Sequence, residues 1–160
     1  MGRLGWLPRD LEVLRADGNR ARYGAAAFCN HLALGSSFSF SMWLSSFTRI
    51  DGVVAQAGTD WAMGDVTPAF SLIMGGFVWA GVFGGVQQRI GARASCLVGA
   101  AGIGSGFALM GTACEMHSLP LLLTAAAIQG LGNGFAYVPP VAALVSWFPE
   151  RKGLASGTAI

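Results

Sequence analysis

Four stretches of this chain each run past twenty residues without a formal charge, and that spacing constrains the fold more than any motif does. Between Arg22 and Arg49 lie 26 residues, YGAAAFCNHLALGSSFSFSMWLSSFT, whose only basic side chain is His31. Residues 66–88 add 23 more, 94–114 add 21 and 118–149 add 32. At about 1.5 Å per residue, some twenty helical residues cross a hydrocarbon core of roughly 30 Å. Composition agrees: 11% of residues are charged and 53% hydrophobic, whereas soluble domains are about a quarter charged. The two-residue alternation of a membrane β-barrel is absent from all four stretches. Four such runs in succession also exceed what buried helices of a soluble protein show. The fold class is therefore an all-α membrane protein, with spans predicted at about 23–47, 67–87, 94–114 and 119–146.

Charges punctuate the spans and orient them. Residues 1–22 form a polar leader with Arg3, Arg9, Arg15, Arg20 and Arg22 against Asp10, Glu12 and Asp17, and residues 23–160 form the helical bundle. Three acidic residues argue against a transit peptide, and the long apolar run that follows argues against a cleaved signal. Nine basic residues fall on one side (the leader, Arg89, Arg93, Arg151, Lys152) and only Arg49 on the other. By the positive-inside rule the N-terminus, the 88–93 loop and residues 150–153 are cytoplasmic in a multi-pass topology. Trp61 and Trp147 suit interfacial positions. A formal net charge of +2, carried in short clusters at span edges, gives no footprint for nucleic acid.

Helices in lipid associate by close backbone approach, since burial against acyl chains adds little. Glycines at four-residue spacing recur as Gly81 with Gly85, Gly102 with Gly106, Gly130 with Gly134, and Gly153 with Gly157. The runs GIGSG and GLGNG, the latter holding Gly130, Gly132 and Gly134, lie inside uncharged spans. They lack the strand-then-helix setting of a phosphate loop, so packing is their role. Pro139 and Pro140 remove amide donors within the fourth span, and a bend is expected there. Asn30, His31, Ser36, Ser37, Ser39 and Ser41 give the first span a polar side suited to a cavity or to other helices. Cys29, Cys96 and Cys114 have no metal-like spacing and read as packing residues.

No catalytic constellation emerges. His31 and His117 lie in or near different spans, no serine has a base partner, and every acidic residue sits in a loop or at a boundary. The chain is not read as an enzyme, and no cofactor or metal is expected.

Two motifs carry a resemblance. GGVQQRIGARAS at 84–95 resembles the cytoplasmic loop after the second span of major facilitator superfamily transporters, G-x-x-x-D-R-x-G-x-R. Gly84, Arg89, Gly91 and Arg93 match, and Gln88 stands in place of the Asp, which removes a charge from the latch that loop forms. QGLGNGFAYVPPVAALVSWFPERKGLASGTAI at 129–160 resembles the fourth span, inner loop and start of the fifth span in the oxalate/formate antiporter branch, which is related to monocarboxylate transporters. NHLALGSSFSFSMW at 30–43 is similar to the first span of that branch, with Phe38 in place of an expected Tyr.

The resemblance implies a twelve-helix fold in two halves that rock about a midplane site. This chain would supply four helices and, at 153–160, the start of a fifth: a partial N-terminal half whose partner is the missing remainder of the transporter. It implies transport of small organic anions, mono- or dicarboxylates, by alternating access, with the chain inactive alone. Phe38 and Tyr137 are the aromatic cavity residues by this analogy. Asn30 and Asn133 join them as substrate-binding candidates, because an intramembrane amide needs a partner. A small four-span binding or regulatory subunit, without transport of its own, is the competing reading.

Overall fold

The computed structural model describes residues 20–48 and 61–148, together with Gly153, Ser156 and Gly157. Five helices follow in order: α1 (Arg20–Phe38), α2 (Phe40–Phe47), α3 (Met63–Val82), α4 (Gly84–Glu115) and α5 (Leu119–Trp147). No strand occurs among the described residues. α4 and α5 are long and apolar enough to cross a bilayer, over Gly84–Glu115 and Leu119–Ser146. Residues 1–19 of the leader lie outside the described residues, and residues 20–22 open α1. The predicted start of a fifth span also lies outside them, except for Gly153, Ser156 and Gly157, which are helical.

The predicted first span is covered by α1 and α2, separated at Ser39. There the backbone tightens from four-residue to three-residue hydrogen bonds: Ser39 N–H donates to Ser36 O at 3.2 Å, and Met42 N–H to Ser39 O at 2.9 Å. The serine-rich sequence explains the break. Ser36 Oγ donates to Ala33 O at 2.7 Å and Ser41 Oγ to Phe38 O at 3.4 Å, and such back-bonding competes with the helix ladder and bends it.

The predicted 88–93 loop is helical except at one residue. Gly91 has φ 83°, ψ 164°, a region that only glycine occupies without strain, and it is buried. One glycine therefore does the work expected of six loop residues. At the other end of α4, the turn at 116–118 is a Schellman cap. Ser118 N–H donates to Ala113 O (2.9 Å) and His117 N–H to Cys114 O (3.2 Å), with His117 at φ 51° in the position usually held by glycine. The Trp61 ring stacks on His117 with centroids 4.7 Å apart. Trp61 is 6% exposed, so it caps the bundle rather than facing an interface. The Trp147 side chain lies outside the described residues.

α5 occupies the middle, packed against α3 on one side and α4 on the other, with α1 along a third face. Two glycines explain how. Residues two apart on a helix point about 200° apart at 3.6 residues per turn, so Gly130 and Gly132 serve opposite neighbours. A Cβ on Gly130 would strike the backbone of Leu72 and Ile73 in α3, where Gly76 approaches in turn. A Cβ on Gly132 would lie 2.7 Å from Ile103 N and 2.8 Å from Gly99 O in α4. Gly102 and Gly106 also face α5, whereas a Cβ on Gly81 or Gly85 would meet nothing within 4 Å among the described residues. The larger apolar core, including Phe40, Val66, Ile73, Met110 and Leu122, lies toward the Trp61 end, and Ala27 with Leu144 forms a smaller one toward the opposite end.

Candidate functional site: the seam between α1 and α5

Only part of the expected polar side of α1 faces α5: Asn30, His31 and Ser37 meet it, whereas Ser36 is exposed. Ser37, Gln129 and Asn133 are all 0% exposed and form one network. Ser37 Oγ donates to Asn133 Oδ1 at 3.0 Å and accepts from Gln129 Nε2 at 3.3 Å. Gln129 and Asn133 are four residues apart on α5 and so share a face, which lets a single hydroxyl bridge both. Asn133 Nδ2 and Gln129 Oε1 have no partner among the described residues.

One turn further along, Asn30 Nδ2 donates to Ala136 O at 3.0 Å. Gln87, 4% exposed in the first turn of α4, donates through Nε2 to Gly134 O at 3.1 Å. Both amides therefore end on backbone carbonyls of the turn that leads into Pro139 and Pro140.

Beside the seam runs a row of rings. His31 meets Tyr137 edge-on with centroids 5.0 Å apart. Tyr137 meets Phe77 of α3 edge-on at 5.1 Å, and Phe77 stacks with Phe38 at 5.8 Å. His31 is buried, and its Nδ1 lies 2.9 Å from Ala27 O. A carbonyl only accepts, so the proton sits on Nδ1. Phe38 is 51% exposed and Tyr137 half-buried, so the row presents an aromatic surface that includes one phenol hydroxyl.

A separate groove of about 570 Å³ opens between α1, α4 and α5, lined by Tyr23, Asn30, Arg93, Cys96, Pro140 and Leu144 among others. Its walls are mostly apolar, and Arg93 is exposed. Of the predicted substrate residues, only Asn30 lines it.

Two of the four predicted substrate residues, Phe38 and Tyr137, are joined by a third ring, Phe77. The other two, Asn30 and Asn133, are engaged within the protein by Ala136 O and Ser37. Gln88, Arg89 and Arg93 of the loop motif are exposed, and the residue there that reaches another helix is the neighbouring Gln87. No group of three His, Cys, Asp or Glu side chains among the described residues could hold a metal. What the seam offers chemically is amides, a hydroxyl, an imidazole and aromatic faces.

Comparison with known proteins finds transporters among the relatives of this chain. An uncharacterised MFS-type transporter of Escherichia coli, YhjX, is 31% identical over 129 residues, which cover 80% of this chain and 30% of that protein. Human monocarboxylate transporter 14 is 29% identical over 134 residues, 81% of this chain and 24% of the transporter. The chain is a homologue of major facilitator transporters, related to the monocarboxylate transporters. A third relative, apicoplast pyruvate carrier 1 of Toxoplasma gondii, is 45% identical over 58 residues, 32% of this chain and 11% of the carrier. No protein-family profile matches the chain, and no solved structure does. The chain spans between about a quarter and a third of the length of the two relatives that match most of it. With transporters as homologues and two helices of membrane length, it is a membrane protein, and its relatives transport rather than catalyse.

Proposed function

We propose that this major facilitator chain forms part of a transporter for small organic anions, monocarboxylates foremost, working by alternating access. It would supply one wall of the translocation cavity. The observation that supports the substrate class is the company the sequence keeps: a monocarboxylate transporter over 81% of the chain and a pyruvate carrier over a shorter stretch. Exchange of the oxalate/formate kind belongs to the same proposal and rests on the 129–160 motif. The chain crosses the membrane four times in this reading, as α1 with α2, α3, α4 beyond Gly91, and α5. Its N-terminus is cytoplasmic, on the strength of nine basic residues against one.

The proposed substrate wall is the ring row, with Phe38 and Tyr137 in contact with substrate and Asn30 and Asn133 behind them. An aromatic face suits the hydrocarbon part of a short carboxylate, and ring edges carry the positive side of the quadrupole toward its oxygens. The described spans hold no Lys or Arg between residues 94 and 148 or between 23 and 48. The countercharge for the carboxylate therefore comes from the part of the transporter facing this wall.

The transporter that carries this sequence, reconstituted in proteoliposomes, should take up or exchange radiolabelled pyruvate, formate or oxalate. The 160-residue chain alone should not. Failure across a broad carboxylate panel removes the substrate class. A stable complex of the short chain with a separate full-length transporter would replace the proposal by a regulatory role.

A further inference from the structure

Proline at position i withdraws the amide that would hydrogen bond to the carbonyl of residue i−4. Pro140 therefore frees Ala136 O. That is the carbonyl that Asn30 of α1 reaches, at 3.0 Å, and both Ala136 and Pro140 are buried. The match is one of register as well as distance: Pro139 and Pro140 leave the carbonyls of Phe135 and Ala136 without helical donors, and Asn30 takes the second. A buried carbonyl without a donor is costly, and in lipid a broken helix is tolerated where a neighbouring side chain supplies the bond. Tyr137 follows Ala136 directly, so the pinned peptide unit is the one that carries the Tyr137 amide. Two further contacts confine the same turn. Gln87 donates to Gly134 O at 3.1 Å, and Gly99 of α4 approaches so closely that a Cβ there would lie 2.6 Å from the Ala136 Cβ.

We propose that Asn30 is a positioning residue: it replaces the amide lost at Pro140 and thereby holds the Tyr137 ring against His31 and Phe77. This rests on the proposed substrate wall for its consequence, since it makes Asn30 act on substrate through Tyr137 rather than by contact. It also assigns Pro140 a paired role, because the proline break and the asparagine are two halves of one device. Restoring the amide at 140 should make the asparagine dispensable.

Tyr23 and Tyr137 are the two tyrosines of the chain, so fluorotyrosine labelling of the full chain in nanodiscs gives two fluorine resonances, assigned with Tyr23→Phe. Asn30→Leu keeps the size and removes the donor. It should shift or broaden the Tyr137 resonance and leave helical content unchanged. In a Pro140→Ala background the same Asn30→Leu change should leave the Tyr137 resonance where Pro140→Ala alone puts it. Asn30→Gln, which retains a donor, should restore part of the native shift in the proline background. If Asn30→Leu fails to fold, recovery of the fold by adding Pro140→Ala supports the pairing, and failure of the double variant overturns it. An unmoved Tyr137 in Asn30→Leu, or an equal effect in both backgrounds, also overturns it. Native coupling between Asn30 and Pro140 combined with absent carboxylate transport would instead remove the substrate reading and leave the positioning role standing.

Discussion

Gly132→Ala tests the packing of α5 on α4 with a single methyl group. The added Cβ would sit 2.7 Å from Ile103 N, 2.8 Å from Gly99 O and 2.9 Å from Gly102 C. All three are backbone atoms, so no side chain can rotate away and the two helices must separate. In a helix interior, alanine is favoured over glycine by about 0.8–1.0 kcal/mol. Forcing a methyl into a filled contact costs about 1–3 kcal/mol and occasionally more. With three contacts to rigid atoms the upper part of that range applies, for a net loss of about 2 kcal/mol. Gly104→Ala is the matched control, since a Cβ at Gly104 meets nothing within 4 Å; it should be neutral or stabilising by up to about 1 kcal/mol. Reversible unfolding of the chain in mixed micelles, followed by circular dichroism, measures both. A Gly132→Ala variant as stable as wild type, or a Gly104→Ala variant equally damaged, would refute the assignment of α5 as the central helix.

Ser37→Ala leaves Asn133 Oδ1 and Gln129 Nε2 without their shared hydroxyl and should destabilise the bundle by about 1–3 kcal/mol in the same unfolding assay. Gly91→Ala forces a Cβ into φ 83°, ψ 164° and should cost about 1–3 kcal/mol, visible as a lowered Tm, while Gly85→Ala in the neighbouring open space should not. Phe77→Ala removes the ring that links Phe38 to Tyr137. It should lower carboxylate uptake by the transporter that carries this sequence, and Phe77→Leu should lower it less.

The last helix was legible because formal charge is nearly excluded from a bilayer. The expected span 119–146 and α5 (Leu119–Trp147) agree because charge and turn chemistry mark the same place. The 88–93 loop shows where that logic misleads. Arg89 and Arg93 mark the turn correctly, but Gly91 alone makes it, so the flanking residues stay helical. Glycine spacing told where close packing was available and not which face would use it: Gly102 and Gly106 meet α5, while a Cβ on Gly81 or Gly85 would meet nothing within 4 Å among the described residues.

At the site, the rule that singled out Asn30 and Asn133 applies equally to Gln129, an amide in an uncharged span, and would have found the buried network. Gln87, at the edge of the 67–87 span, meets the same rule, which does not name the carbonyl it reaches, and Phe77 left no such trace. One is a phenylalanine in an apolar run and the other a glutamine beside a motif position. Their roles depend on which carbonyl or ring the opposite helix brings near, and that is a tertiary fact. The proline pair announced a break, and the i−4 rule names the carbonyl released by Pro140. Only the packing of α1 shows that Asn30 answers it.

Protection from alkylation tests directly whether the ring row is a substrate wall. In the reconstituted transporter, with Cys29, Cys96 and Cys114 replaced by serine, single cysteines are placed at Phe38, at Tyr137 and at Met42, which is 77% exposed. Pyruvate or another short carboxylate should slow maleimide labelling at positions 38 and 137 and leave position 42 unchanged. Labelling at 38 and 137 that no carboxylate slows, while transport persists, would contradict that role.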